Sequence, residues 1–157
     1  MALVKGTNSY ATVTEADSYF RDRLDVDAWT NASATIKAQA LITATAYIDD
    51  SEWSGSVVDE SQSLAFPRSG EYFDPRLGLN KSMETIPTRV IHAVFEQALH
   101  LLNNEGLFDD TGSVIDLQIA SISLTRVKSA NKKSSTVKRL IAPLLKNKGT
   151  DSWWRAN

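Results

Sequence analysis

The side chains best suited to intermolecular chemistry lie at one end of the chain. Between Arg126 and Arg155 there are nine Lys/Arg and a single acid, Asp151, whereas residues 1 to 125 hold eight bases and eighteen acids. The formal charge is thus +8 in the terminal stretch and −10 ahead of it, behind a net charge of only −2. Such a split marks contact with nucleic acid, a membrane or an acidic partner. Arg126, Lys128, Lys132, Lys133, Lys138, Arg139, Lys146 and Lys148 could each meet a phosphate of a DNA channel or an acidic partner; the alternative is a solvated face. Farther on, Trp153, Trp154 and Arg155 combine the residue types that anchor binding hot spots. They either dock on a partner or fold back on their own domain.

Other chemistry is thin. His92, Glu96 and His100 fall at i, i+4 and i+8, within about 80° on one helix face, but three ligands in a line rarely complete a tetrahedral site and no HExxH accompanies them. A solvated or subunit-facing helix surface is the plainer reading, so no metal is expected. No GxxxxGK[ST], GxGxxG, GxSxG or EF-hand loop occurs, and no serine has a His and an acid spaced as a persuasive triad. Asp49/Asp50 and Asp109/Asp110 sit at element ends, where capping and solvation explain them. Neither an enzyme nor a cofactor is expected. The absence of cysteine removes disulfides, thiolate zinc sites and thiol nucleophiles. No apolar run approaches the ~20 residues that cross a bilayer, and no basic-then-apolar leader opens the chain, so a soluble protein without a membrane role is expected.

The elements that must position these residues read mainly as helices. Thr14 with Asp17 resembles a capping box, and Ala16, Tyr19, Phe20 and Leu24 then recur at helical spacing, giving a first short helix that ends near Leu24. Ser33 suits the N-cap of a second helix running to about Asp50, with a stripe of Ile36, Ala40, Leu41, Ala44, Tyr47 and Ile48. Trp29 and Trp53 are the large side chains available to pack around its ends. From Ser54 to Thr85 the pattern breaks at Gly55, Pro67, Gly70, Pro75 and Gly78, while Leu64, Phe66, Tyr72, Phe73 and Leu77 argue for an ordered loop wrapping the helices. Arg68 within it could be held by an acid on the next helix. Pro87 opens a third helix, to about Asn104, whose apolar face runs from Val90 to Leu102.

Beyond a turn at Gly106 to Gly112 the period changes. Ile115, Leu117 and Ile119, then Ile122, Leu124 and Val127, alternate with polar residues as one extended segment or hairpin arm. A polar linker precedes a short amphipathic helix of Val137, Leu140, Ile141, Leu144 and Leu145, limited by Pro143. The expected fold is a small helical bundle with a long irregular loop, a β segment or hairpin arm and an extended C-terminal tail. Residues 1–127 form the body with its arm, and 128–157 the basic linker, short helix and docking tail.

Several pieces together resemble a known family: ATVTEADSYFRDRL at 11–24, Ala28 and Trp29, KAQALITATAYID at 37–49, Trp53 and Gly55, LAFPRSG at 64–70, and IPTRVIHAVFEQALHLL at 86–102. In order and spacing they are similar to the tailed-phage head-to-tail connectors, the adaptor or head-completion proteins that carry a DnaT-like label. That resemblance implies a structural virion protein at the head–tail interface, assembled in the host cytoplasm as a ring, commonly a dodecamer. Such a ring would sit beneath the portal protein, join it to a tail or nozzle protein and continue the channel for genomic DNA. It also implies a C-terminal segment that grips the portal or a neighbouring subunit. A ring would let an acidic body meet the basic arm of the next copy. The competing reading is a DnaT-like single-stranded nucleic-acid-binding protein, whose affinity would fall steeply with salt. Against it, only the terminal tryptophans offer bases a stacking surface beside the lysines.

Overall fold

The computed structural model describes residues 2–104, 115–116, 125–126 and 133–146, with the side chains at 115, 116, 125 and 126 excepted. The first helix, α1 (Val13–Phe20), starts at Thr12 rather than Thr14. Thr12 and Glu15 complete a reciprocal box that Thr14 and Asp17 would not: the Thr12 N–H donates to Glu15 Oε2 at 2.7 Å, and the Glu15 N–H donates to Thr12 Oγ1 at 3.2 Å. The helix stops at Phe20, and Leu24 is 95% exposed instead of continuing its apolar face. A one-turn helix that the sequence reading did not anticipate, α2 (Asp27–Thr30), then buries Trp29.

Helix α3 (Ala34–Asp49) is capped by the Ser33 side chain, as expected. Ala40, Leu41, Ala44 and Ile48 are buried along it, while Ile36 is exposed at its start. Helix α4 (Thr88–Asn103) follows Pro87 and packs on α3, with Val90, Val94, Ala98 and Leu101 among its buried residues. Aromatic rings close the gap to α1 and α2: Phe20 lies 5.1 Å from Trp29, and Tyr19 4.9 Å from Phe95. The indole N–H of Trp29 donates to Asp17 Oδ1 at 2.9 Å, and Lys37 reaches the same oxygen at 2.8 Å. One carboxylate on α1 therefore holds both α2 and α3.

The fold is mixed α/β, with more strand than the single β segment or hairpin arm expected beside the helices. The stretch read as an irregular loop contains two antiparallel ribbons, β1 (Ser56–Val57) with β2 (Arg68–Ser69), and β3 (Glu71–Asp74) with β4 (Leu79–Ser82). Strand β3 alternates exposed and buried, with Tyr72 and Asp74 inward. Leu64 and Phe66 wrap the helices as expected, but Phe73 and Leu77 face outward. Part of the stretch's order comes from bonds to its own backbone. Arg68 is held by the carbonyls of Ser54, Gly55 and Ala65 at 2.7 to 3.2 Å, not by an acid on α4. The Phe66–Pro67 peptide is cis.

Strands β5 (Ile115–Asp116) and β6 (Thr125–Arg126) pair antiparallel, within the segment expected to be extended or a hairpin arm. Helix α5 (Ser135–Ile141) continues as a 3₁₀ turn at Ala142–Leu144 that contains Pro143, and Val137, Ile141 and Leu144 enter the core beside α4. The turn at Gly106 to Gly112, the boundary at residue 128 and the terminal tail lie outside the described residues. Among the described residues no helix is long and apolar enough to cross a membrane.

Two predictions follow from this packing. Gly55 adopts φ +67°, and a Cβ there would lie 2.0 Å from the carbonyl oxygen of Ser69. Gly55→Ala should therefore lower the melting temperature by several degrees, at about 2–4 °C per kcal/mol lost, measured by calorimetry. Burial alone would raise the Asp17 pKa, but the hydrogen bonds from Lys37 and Trp29 outweigh it and hold the carboxyl below its usual range. Its contribution is thus present at neutral pH and is lost as pH falls through the depressed value. Asp17→Asn keeps the acceptor for Trp29 and loses the charge facing Lys37. It should melt below the wild type at neutral pH, with the difference closing on strong acidification.

Candidate functional site

The described part of the basic stretch is brought against the end of α3. After α5 the chain runs back beside residues 52–54: the Lys146 N–H donates to the Glu52 carbonyl at 2.8 Å, the Ser54 N–H to the Leu144 carbonyl at 3.0 Å, and Trp53 bridges Leu145. Between these strands of chain and α5 lies an open groove of about 520 Å³, walled by Ser51 and Glu52 on one side and by Ile141, Ala142 and Leu145 on the other. Lys133, Lys138 and Lys146 all line it.

The three lysines differ in state. Lys133 is half-buried and donates to Ser51 Oγ at 2.6 Å. Burial holds its ammonium below the ordinary lysine range, partly offset by the charge of Asp50. Lys138 and Lys146 are exposed, and Lys138 lies in the last turn of α5, where the helix dipole favours a cation. Three cations outnumber the carboxylates set against them, Glu52 in the lining and Asp50 acting on Lys133, and leave the groove positive, with an apolar floor from Ile141 and Leu145. Such a groove can hold an extended anionic chain electrostatically without reading its identity.

The sequence reading is thus resolved in part. Lys133, Lys138 and Lys146 meet in one place, whereas Arg139, also exposed on α5, does not line the groove. Arg126 is placed at the end of β6 by its backbone. Lys128, Lys132, Lys148, Trp153, Trp154 and Arg155 lie outside the described residues. The opposite wall, Ser51 and Glu52, was not anticipated, because its contact with residues 144–146 spans some ninety positions and leaves no local pattern.

Two other readings are corrected. The polar face of α4 is neither solvated nor turned to another subunit at His92 and Glu96, because it packs on α1. Glu96 Oε1 accepts from the Tyr19 hydroxyl at 2.7 Å and from Arg23, and the His92 ring lies 4.7 Å from that of Tyr19. Burial, then the charge of Arg23, lowers the His92 pKa against the opposing pull of Glu96, so the imidazole is neutral at neutral pH. Asp49 is more than a solvated helix end. It accepts from the hydroxyl of fully buried Tyr10 and from the Ala65 N–H at 3.0 Å. Burial raises its pKa, opposed by these hydrogen bonds and by the charge of Arg68. Tyr10 is pushed well above its ordinary value by burial and by the adjoining carboxylate.

Comparison with known proteins returns one family. Its model, described as "Putative DnaT-like ssDNA binding protein", matches residues 2–156. No curated protein matches the chain, and no solved structure does. With all but the first and last residues covered by that family's model, the chain belongs to the DnaT-like family.

Proposed function

We propose that this protein binds single-stranded DNA, with the groove between α5 and the end of α3 taking the sugar–phosphate backbone. The observation that carries the reading is the convergence of Lys133, Lys138 and Lys146 on one concave surface in a chain of the DnaT-like family. Phosphates entering the groove meet the three ammonium groups and release counterions, a term indifferent to sequence. The apolar floor accepts the sugar edges. In this reading Arg126, Lys128, Lys132, Arg139, Lys148 and Arg155 add further phosphate contacts, and Trp153 with Trp154 supplies the surface on which bases stack.

Lys133 already forfeits solvation in the free protein, and an incoming phosphate restores a counter-charge at that point. A fluorescently labelled oligo(dT) titrated by anisotropy at several salt concentrations tests the reading. The logarithm of affinity should fall linearly with that of salt, with a slope of about −0.7 for each phosphate neutralised. The triple variant Lys133→Met, Lys138→Met, Lys146→Met should flatten that slope by about 2 for its three lost contacts. An unchanged slope in the triple variant, or no binding at low salt, rejects the groove as the DNA site.

A second reading is favoured by a different observation. Val57, Val58, Phe73, Leu77 and Leu79, all carried by the two ribbons, are 38 to 55% exposed. Exposed apolar side chains on β-ribbons are what protein–protein contacts use, and the register presents them on both faces of the β3–β4 ribbon, Phe73 on one and Leu79 on the other. In the connector reading these ribbons meet a neighbouring copy or the portal protein, giving a ring, commonly of twelve, at the head–tail interface of a virion, with the tail protein beyond and DNA passing through. Wild-type protein mixed with portal particles should then form rings visible by negative stain, and Phe73→Ser with Leu79→Ser should abolish them without lowering the melting temperature. Failure of the wild type to associate at any salt concentration removes this reading.

A further inference from the structure

A second concavity, sharing no lining residue with the groove, lies between the β3–β4 ribbon and the start of α4, with a volume of about 450 Å³. Its cationic character follows from the ribbon's register. Lys81 pairs with Tyr72 across the ladder, so it lies on the same face as the inward Tyr72 and Asp74 and overhangs the cavity. Arg76 enters from the turn just after β3, and Arg89 from the first turn of α4.

Asp74 organises the group. It is 5% exposed, and its Oδ1 accepts the Arg76 N–H at 2.9 Å and lies 3.4 Å from Arg89 Nη2. Burial would raise its pKa, but the Arg76 N–H and the charge of Arg89 outweigh burial and keep the carboxylate ionised at neutral pH. One negative charge is therefore set against three positive ones. Among the described residues no carboxylate forms an ion pair with Arg76 or Lys81. The surplus of two positive charges matches a phosphate dianion. The hydroxyl of Thr88 and the neutral ring of His92 also line the cavity and can donate to phosphate oxygens. Helix α4 adds to the field, since Pro87 provides no capping side chain and its first turn holds no acid.

We propose that this cavity is a phosphate-binding site, in which Arg76 and Lys81 clamp the oxyanion and Arg89, oriented by Asp74, completes the charge. It does not depend on the groove or on strand binding there. Leu140 on the wall of the cavity and Lys138 with Ile141 on that of the groove place α5 between the two. The phosphate can come from a DNA backbone or from a free phosphorylated solute, and the chemistry on the protein side is the same.

The test is a titration of the full-length protein with inorganic phosphate at constant ionic strength, followed by amide NMR shifts and by melting temperature. Saturable shifts at Thr88 and Arg89, together with a rising melting temperature, are expected. Arg76→Gln with Lys81→Gln should weaken binding by about tenfold or more, while the groove triple variant should bind phosphate as the wild type does. Both substituted residues are exposed and, among the described residues, outside any ion pair, and the single variant Lys81→Gln, with a smaller loss, guards against misfolding of the double. No saturable shift, equal binding by Arg76→Gln/Lys81→Gln, or loss of binding in the groove variant instead would overturn the proposal. Displacement of phosphate by oligo(dT) identifies the strand backbone as its source, and displacement by thymidine 5′-phosphate alone identifies a free phosphorylated solute.

Discussion

The long excursion between α3 and α4 is held to the helices by one buried polar node. Asp49, at the last turn of α3, binds the hydroxyl of Tyr10 from the N-terminal segment and the N–H of Ala65 from the excursion, and the Phe66 N–H donates to the same hydroxyl at 3.1 Å. A carboxylate buried this far is costly unless its oxygens are satisfied. Here both are, one by a side chain and one by backbone. Tyr10 and Trp53 then stack edge-on against Phe66 from two sides, at 6.1 and 4.9 Å, so the node is sealed by aromatic surface. Because Asp49 has a raised pKa, its part in stability is greatest below the ordinary carboxylate range and diminishes as pH rises through the raised value. Ionisation is opposed by burial and supported by two donors, the Tyr10 hydroxyl and the Ala65 N–H, and by the nearby Arg68. The node tolerates neutral pH because those donors stay with it.

What the node fixes at one end, Arg68 distributes along the rest. Its guanidinium takes three backbone carbonyls that no strand partner reaches, which satisfies acceptors that an irregular, half-buried segment would otherwise leave open. With that segment pinned, the β3–β4 ribbon has a defined base. Its inward alternation can then put Tyr72 and Asp74 against α4 while Phe73 points away. The same anchoring accounts for the position of Gly55, where the chain passes so close to the Ser69 carbonyl that no side chain fits. Both the cavity over α4 and the exposed apolar ribbon residues thus follow from contacts made at residues 49 to 68.

Helices α3, α4 and α5 were legible in the sequence because their signals are local. Ser33 caps α3, Pro87 precedes α4, and α5 with its Pro143-limited end matches the apolar spacing of Val137, Ile141 and Leu144. The first helix was misplaced by two residues because two threonines each precede an acid by three positions, and only the one whose partner is Glu closes the box. The ribbons were missed because β1, β2 and β3 are two to four residues long, too short for an alternation to stand out among glycines and prolines. Asp49 read as a solvated helix end because its partners are 39 and 16 residues away. The charge asymmetry was visible in composition. That three of its lysines converge while Arg139 turns elsewhere depends on how α5 seats against α4 and on the return of the chain past Trp53, both long-range.

The placement of charge separates the two concavities by mechanism as well as by position. In the groove, Lys133 is held by a neutral hydroxyl, and Lys138 and Lys146 stand on flexible stems in solvent, so attraction there is diffuse and suited to a sliding, sequence-indifferent polyanion. In the cavity, Arg89 is oriented by a buried carboxylate and Lys81 is fixed in register by the ladder, so the cations lining it have a defined arrangement. A polyanion gains from the first arrangement through many weak contacts, and one compact oxyanion gains from the second through geometry. Helix α5 contributes to both: its buried Val137 and Ile141 seat it in the core, Leu140 faces the cavity, and Lys138 faces the groove. Displacing α5 would therefore disturb diffuse and focused binding together, whereas changing side chains on either wall would disturb only one.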